Sequence, residues 1–292
     1  MKRLGTFCAA GVVVGTMAGG VLVSGQNASL PEPRKGFGAS VTGAFEGWYY
    51  NEDGSRTFLL GYYNRNLQQE LDVPIGPNNR IDPGGPDMGQ PTHFLPGRQW
   101  GMFAVPVPKD FKEQDSLTWT ITANGQTNTI PLRLKADYVM SPFKEIAVGN
   151  TPPAIRFEPA GSAVQGPLAI LARAPARTAS LAAPLELTVW AADDMKFTNG
   201  TSAPMTTPRP PVTVRFSKYR GPGPVTFDKP RPTVEKLAAG EGAFSGKATT
   251  SVKFGEPGDY VLHVTANDYS GDGGGGFGCC WTTSVVKVAV KP

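Results

Sequence analysis

The sequence predicts an all-β protein made of two antiparallel β-sandwich domains that follow a cleaved signal peptide. Gly (36) and Pro (28) together make up roughly a fifth of the 292 residues, against about 12% in average proteins. Such residues end short elements, and between them apolar residues alternate with polar ones. Residues 40–135 contain no helix-period segment of useful length. With 40% hydrophobic residues, the chain has enough apolar side chains to form a core.

The chain divides into five predicted parts. Residues 1–25 read as a signal peptide, because a short basic start is followed by an uncharged apolar run and then by small residues. Residues 26–40 are expected to be a flexible leader. An N-terminal all-β domain (41–135) follows, and a linker (136–153) rich in Pro near its end separates it from a second β-sandwich (154–292).

Export places the mature protein in the periplasm, at the cell surface or outside the cell. No later stretch is long and apolar enough to span a membrane, so no transmembrane segment is expected in the mature chain. Without Lys2 and Arg3 the formal net charge falls from +4 to about +2. This charge is too small to indicate a nucleic-acid partner or an anionic membrane.

The first domain is predicted from aromatic and alternating runs. Asp53-Gly54 and Asn124-Gly125 are hairpin turn signals that each separate two such runs. The loop over residues 76–97 is rich in Pro and Gly and is expected to be irregular. The predicted strands are 47–50, 57–63, 71–75, 100–107, 116–123 and 127–134.

The second domain alternates in the same way over about seven short runs, which suits a β-sandwich. Its predicted strands are 185–191, 212–217, 224–227, 247–254, 259–267 and 281–290.

Four runs in this half carry a family resemblance. Asn150–Pro153 opens the unit, and Ala191–Asp194, Ser217–Phe227 and Phe254–Asp268 follow. Together they resemble the PKD-like, immunoglobulin-like sandwich repeats of bacterial secreted and surface proteins, over residues 150–292. The resemblance implies a fold and says almost nothing about function. The chain lacks the Trp-Asp-Phe-Gly-Asp-Gly type motif of typical PKD domains and inserts a Gly-rich loop before the last strand.

The predicted strand 259–267 has two distinct faces. Tyr260 and Leu262 belong to the face that is expected to meet the core, together with Val264 and Ala266. Tyr260 follows a Pro-Gly turn, where its hydroxyl is expected to fix the adjacent loop as a tyrosine corner. His263 belongs to the opposite face and is predicted to lie on the surface.

Four carboxylates are predicted at one end of this sandwich, because the loops after its second and sixth strands emerge there together. They are Asp193, Asp194, Asp268 and Asp272. Such oxygen donors suit Ca²⁺, the only cofactor that the sequence indicates. The alternative is that these residues bond their own backbone in turns.

Cys279 and Cys280 start the last strand at the same end, and they are the thiols that remain after signal removal. In an oxidising compartment they can close a vicinal disulfide. The alternatives are free or intermolecularly bonded thiols, or a soft-metal site with Met195 or Met205.

The first domain also contains a dense set of aromatic residues. A stacking surface for sugar rings or a protein partner is one interpretation, and core packing is the other. The loop over residues 76–97, with Asp82, Asp87 and His93, is expected beside it. The residues chosen for this surface are Trp48, Tyr50, Tyr62 and Trp100.

Motifs for catalysis are missing from the sequence. It contains no H-E-x-x-H, G-x-S-x-G, Walker A or C-x-x-C pattern. Residues 271–276 match G-x-G-x-x-G, but a strand rather than a helix follows, so a dinucleotide site is not expected.

The sequence therefore predicts a non-enzymatic secreted or cell-surface protein that acts in binding, adhesion or surface assembly. Its partner would be another copy, another surface protein or a polysaccharide, and no nucleic acid. The alternative is a carbohydrate-binding protein or an accessory subunit of an exported hydrolase.

Overall fold

A computed structural model describes residues 32–146, 149–196, 210–240, 242–268 and 279–292. Of the described residues, 51% are in strands and 3% are helical, so the all-β prediction is confirmed. The helical part consists of 3-10 turns at Ala136–Tyr138 and Leu171–Arg173. Within the described ranges, no helix has the length and apolar character that a membrane crossing requires.

The described strands follow one another along the chain. The first half contains β1 (Val41–Tyr50), β2 (Arg56–Asn64), β3 (Leu71–Asp72), β4 (Asn79–Asp82), β5 (His93–Phe94), β6 (Gly97–Val107), β7 (Leu117–Ala123) and β8 (Gln126–Leu132). The second half contains β9 (Ala154–Arg156), β10 (Val164–Gln165), β11 (Ala176–Ser180), β12 (Leu185–Asp193), β13 (Thr213–Arg220), β14 (Val225–Phe227), β15 (Glu235–Lys236), β16 (Phe244–Phe254), β17 (Gly258–Asn267) and β18 (Trp281–Lys291).

Three antiparallel sheets form the first half, in the orders β1-β2-β6, β4-β7-β8 and β3-β5. Both predicted hairpins are present. Asn124 and Gly125 have φ values of 50° and 74°, as a turn with two left-handed residues requires. These sheets enclose a core that includes Phe58, Phe103 and Trp119.

The segment over residues 76–97, predicted to be an irregular loop, contains two short strands that the alternation of apolar and polar residues did not indicate. β4 pairs with β7, β5 pairs with β3, and the peptide bond between Asp82 and Pro83 is cis. β4 has the sequence Asn-Arg-Ile-Asp and β5 has only two residues, so neither provides a recognisable period.

Two sheets form the second half, and they pack face to face. One has the order β10-β9-β12-β16-β14, with β15 also paired to β16, and the other has the order β11-β18-β17-β13. Their shared core takes Val189 and Val252 from the first sheet and Leu262 and Val286 from the second. The Tyr260 hydroxyl donates to Glu256 O at 2.9 Å and accepts from Gly223 N at 3.0 Å, as the predicted corner requires.

The prediction for His263 is wrong. Its side chain is 1% exposed, because the first half of the chain covers that face of β17. His263 Nε2 lies 3.0 Å from Met102 O, and the ring stacks on Tyr219 with centroids 5.6 Å apart. Val261, on the same face, belongs to the core of the first half. The alternation of residues along β17 correctly predicted which side chains share a face. It could not show which part of the protein packs against each face.

Residues 32–292 form one compact unit. Hydrogen bonds join its two halves. Ala104 N donates to Ala169 O at 3.3 Å, and Thr283 Oγ1 donates to Gly101 O at 3.1 Å. The division into two domains and a linker stays a prediction.

Candidate functional site

A cluster of charged side chains begins where β3 pairs with β5. Asp72 stands directly opposite His93 in this antiparallel pair, so their side chains extend from the same face. Glu70 precedes Asp72 by two residues and projects on that side as well. His93 Nδ1 lies 3.0 Å from Asp72 Oδ1, and Nε2 lies 3.2 Å from Glu70 Oε2. The imidazole ring is therefore held between two carboxylates.

The second half contributes a lysine to this cluster. Lys218 of β13 places Nζ 3.0 Å from Asp72 Oδ1, although 146 residues separate the two in sequence. The lysine side chain is only 7% exposed, so its charge needs an acidic partner. Burial raises the pKa of Asp72, but hydrogen bonds and charges from His93 and Lys218 outweigh it and hold that pKa below its usual range.

The cluster lines an open cavity of about 460 Å³ between the two halves, which we name the junction cavity. Arg215 also lines it, with Nη1 3.1 Å from Gln99 Oε1. The remaining wall is largely apolar and includes Pro222, Pro224, Phe227 and Pro230.

The acidic and basic groups of this cavity differ in accessibility. The side chains of Asp72 and Glu70 are 57% and 56% exposed, whereas those of His93 and Lys218 are each 7% exposed. Asp72 Oδ2 and Glu70 Oε1 accept no hydrogen bond from any residue that the structure describes. Two carboxylate oxygens are therefore available to a positively charged group that enters the cavity.

The loop over residues 76–97 lies against β13 and supports the cavity. Thr92 N donates to Tyr219 O at 3.1 Å. Arg220 forms two contacts with Asp87, at 2.9 and 2.8 Å, and lowers the pKa of that carboxyl. Of the three loop residues named from the sequence, only His93 lines the cavity, since Asp82 pairs locally with Arg80.

A second polar cluster lies at the end of the second half where the acidic site is predicted, and it includes Asn150, which is not part of that prediction. Asn150 Nδ2 donates to Asp268 Oδ2 at 2.6 Å, and Cys280 Sγ lies 3.4 Å from Asn150 O. Asp194 accepts from Thr151. We name this cluster the tip. Asp272 lies outside the described residues.

The pKa of Asp193, a carboxyl of the tip, is strongly perturbed. Burial, together with the charges of Asp268 and Asp194, raises its pKa to about 7. Asp193 Oδ2 and Asn150 Oδ1 are both buried, and neither has a hydrogen-bond partner among the described residues.

The geometry of these aspartates is that of turn residues. Asp193 Oδ1 accepts from Met195 N at 2.8 Å, and Asp194 Oδ1 accepts from Lys196 N at 2.9 Å. Over the described ranges, no group of three or more His, Cys, Asp or Glu side chains is arranged to hold a metal ion. The calcium site, which included Asp272, stays a prediction.

Cys279 and Cys280 are joined by a disulfide across a cis peptide bond, and both are buried. Met195 is 43% exposed, and Met205 lies outside the described residues. The redox state of the two cysteines in the native compartment stays a prediction.

The aromatic surface predicted in the first half is not formed as expected. Trp48 (5% exposed) and Tyr62 (0%) are core residues, so their assignment to a surface is wrong. The Trp48 Nε1 donates to Lys135 O, and the Tyr62 hydroxyl accepts from Leu95 N. Tyr50 and Trp100 are exposed.

These two exposed rings are far apart. Tyr50 aligns through β2 with Val107 at one end of β6, whereas Trp100 lies near the other end. Seven residues of strand correspond to roughly 20 Å, which is too long for one stacking platform. The Arg98 guanidinium lies over the Trp100 ring, 3.9 Å from its centroid.

Several residues of these two clusters carry no mark in the sequence of a role in a site, namely Glu70, Asp72, Lys218 and Asn150. Glu70 and Asp72 flank one apolar residue, which is a common pattern on any exposed strand edge. Lys218 stands between Ser217 and Tyr219 on a strand, where nothing marks it as buried. No local signal separates these residues from ordinary surface charges.

No protein-family model and no curated protein matches the chain. Among solved structures, the chain is similar to domains 4 and 5 of the S-layer protein SbsC. The similarity has 11% sequence identity, covers 87% of this chain and 98% of that one, and gives a TM-score of 0.23. A likeness of this strength carries no argument about the present chain.

Proposed function

We propose that the protein is an exported, non-catalytic binding protein of the cell envelope or cell surface, and that it binds a protein segment carrying Lys or Arg in the junction cavity. The observation that carries this proposal is the pair of unoccupied carboxylate oxygens, Asp72 Oδ2 and Glu70 Oε1, at a cavity lined by both halves. The PKD-like sandwich type and the cleaved signal peptide are parts of the same proposal.

The charge distribution favours a basic ligand. An approaching group meets the exposed carboxylates of Asp72 and Glu70 before the recessed Lys218 ammonium and His93 ring. The Arg215 guanidinium, which also lines the cavity, belongs to a residue that is only partly exposed. A guanidinium or ammonium group can bond the two free oxygens without breaking the existing contacts of either carboxylate. The neighbouring proline-rich wall suits an apolar residue next to the basic one.

The arrangement around His93 favours binding over acid–base or nucleophilic catalysis. Both ring nitrogens contact carboxylates, so the ring has no nitrogen directed at a nucleophile. Ser217 lines the same cavity, but no contact joins its hydroxyl to the ring. A structural ion-pair network accounts for this geometry.

An accessory subunit of an exported hydrolase stays an alternative. The alternative of carbohydrate binding has less support. It requires a shared aromatic surface, and the two exposed rings of that set, Tyr50 and Trp100, lie far apart. A glycan array distinguishes this alternative directly.

The experiment uses peptide arrays that present Lys or Arg beside apolar residues, with acidic peptides of matched length as a reference. We expect basic peptides to bind the wild-type chain, and Glu70→Gln together with Asp72→Asn to weaken binding at least about tenfold, since a charge-assisted bond to each carboxylate is lost. Glu158→Gln is the matched control, because Glu158 is an exposed glutamate in an ion pair with Arg177. Equal binding of acidic peptides, or an unaffected double variant, would contradict the proposal.

A further inference from the structure

A second open cavity, of about 430 Å³, lies in the first half, and we name it the basic-rimmed cavity. It is formed by β1, β8 and the segment that follows β8. Its lining residues are Phe45, Ile130, Pro131, Arg133, Lys135 and Tyr138. None of them lines the junction cavity, so any ligand here is independent of the function proposed above.

The wall of the basic-rimmed cavity is aromatic and firmly supported. Phe45 packs edge-on against the buried Phe58 with ring centroids 5.5 Å apart. Tyr138 lies against Phe45 at the same distance with an interplanar angle of 52°, and it is 47% exposed. The two rings therefore offer an apolar surface that the ring of a ligand can contact.

The rim is positively charged, and its charge is not neutralised. Arg133 and Lys135 are both exposed, and Leu134 between them is only 2% exposed. In an extended segment this alternation directs both cations away from the core and towards the same side. Neither cation forms an ion pair with any residue in the described part of the chain, and the lining contains no carboxylate. The nearest acid in sequence, Asp137, is exposed and does not line the cavity.

The backbone that carries these cations is fixed. The buried Trp48 donates from Nε1 to Lys135 O at 2.7 Å, and Tyr138 N donates to the same carbonyl at 3.0 Å. The backbone at Lys135 is therefore held in position before a ligand arrives, which lowers the entropy cost of binding.

We propose that the basic-rimmed cavity binds a small aromatic carboxylate. The ring of such a ligand would lie against Phe45 and Tyr138, and its carboxylate would contact Arg133 and Lys135. The volume lies within the range of about 300–1,000 Å³ that is typical of small-molecule sites. A neutral aromatic lacks the charge for the rim, and an aliphatic acid lacks the flat ring for the wall.

Isothermal titration calorimetry with 1-naphthoate tests this proposal on the full-length protein. We expect saturable binding of one naphthoate per chain, weakening with added salt because the contacting charges are exposed. The neutral analogue 1-naphthalenemethanol is expected to bind at least about tenfold more weakly. The double variant Arg133→Gln, Lys135→Gln is expected to lose affinity for naphthoate by a similar factor.

The matched control removes two exposed lysines of the second half, as Lys236→Gln, Lys253→Gln, and is expected to bind naphthoate like the wild-type chain. Tyr138→Ser removes the exposed part of the wall and is expected to weaken naphthoate binding more than binding of cyclohexanecarboxylate. Circular dichroism of each variant reports folding. Absence of saturable binding, equal affinity for the neutral analogue, or full affinity in a folded rim variant would overturn the proposal.

Discussion

The junction between the two halves and the tip of the second half treat their buried polar groups differently. At the junction, Lys218 contacts Asp72, His93 contacts two carboxylates, and His263 contacts Met102 O. At the tip, Asp193 Oδ2 is buried without a hydrogen-bond partner among the described residues. An unpaired buried polar atom costs about 1–3 kcal/mol, and the tip carries this penalty on a titratable carboxyl. At the junction the named titratable groups are paired, and the buried atom without a partner among the described residues is the Trp281 indole Nε1.

The two regions also perturb their titratable groups in opposite ways. Burial lowers the pKa of His263 to about 3, which keeps the ring neutral between the two halves. Burial and neighbouring carboxylates raise the pKa of Asp193 to about 7, which keeps its carboxyl partly protonated near neutral pH. Both shifts avoid a buried charge, but they make stability depend on pH with opposite signs.

The largest effect is expected from a substitution at Gly101, where the two halves pack closely. Gly101 has a φ of +50°, and an added Cβ would lie 2.7 Å from the Trp281 ring of the other half. We expect Gly101→Ala to lower the free energy of unfolding by about 4 kcal/mol, from backbone strain and overpacking together. Urea unfolding followed by tryptophan fluorescence measures this change.

The control for Gly101 is Gly97→Ala on the same strand. Gly97 has a φ of +81°, and an added Cβ would meet nothing within 4 Å, so only backbone strain of about 1 kcal/mol is expected. Similar losses for both variants would show that Trp281 does not pack tightly against β6.

The tip is tested by Asp193→Asn. The folded pKa lies above the unfolded value of about 3.8, so the protonated carboxyl stabilises the fold below pH 3.8, and this contribution is lost as pH rises through 7. We expect the free energy of unfolding of the variant, minus that of the wild type, to increase by on the order of 3 kcal/mol between pH 4 and pH 8. Urea unfolding at several pH values measures it, with the exposed Asp259→Asn as control. A difference that is constant with pH would refute the interpretation.

A smaller effect of opposite sign is expected from His263→Gln. The folded pKa is below the unfolded value of about 6.5, so the neutral ring stabilises the fold fully above pH 6.5, and this contribution is lost as pH falls towards 3. We therefore compare the free energy of unfolding of the wild type with that of the variant. This difference is expected to be roughly 2 kcal/mol less favourable to the wild type at pH 5 than at pH 7.5.

Unfolding curves of both chains at pH 7.5 and pH 5.0 give this difference. Because the chain has two histidines, His93→Gln controls for removal of the other one. If His263→Gln followed the pH dependence of the wild type, His263 would have to titrate similarly in the folded and unfolded states.

Local chemistry allowed much of the fold to be predicted from sequence. Hairpins at Gly54 and Gly125 follow from turn residues, and the hydroxyl contacts of Tyr260 follow from its place after a Pro-Gly turn. The approach of Asp193 to Asp268 followed from sandwich topology alone. These features depend on residues near in sequence or on a general rule of architecture.

Features that depend on packing between distant segments could not be predicted. Alternation places His263 on one face of β17, but the first half, which covers that face, contacts it through Met102, 161 residues away. The junction cavity depends in the same way on Lys218 meeting Asp72. Trp48 and Tyr62 are buried although the sequence predicts them at a surface, because aromatic residues in strands have the same local pattern whether buried or exposed.

The burial of β17 on both faces has a consequence for how this protein can be divided. A fragment of the second half alone would present Tyr219, Val261 and Val285 to water, since the core of the first half now covers them. Such a newly bared apolar patch promotes aggregation. Fragments of this polypeptide used for expression or for grafting onto other proteins should therefore keep both halves together.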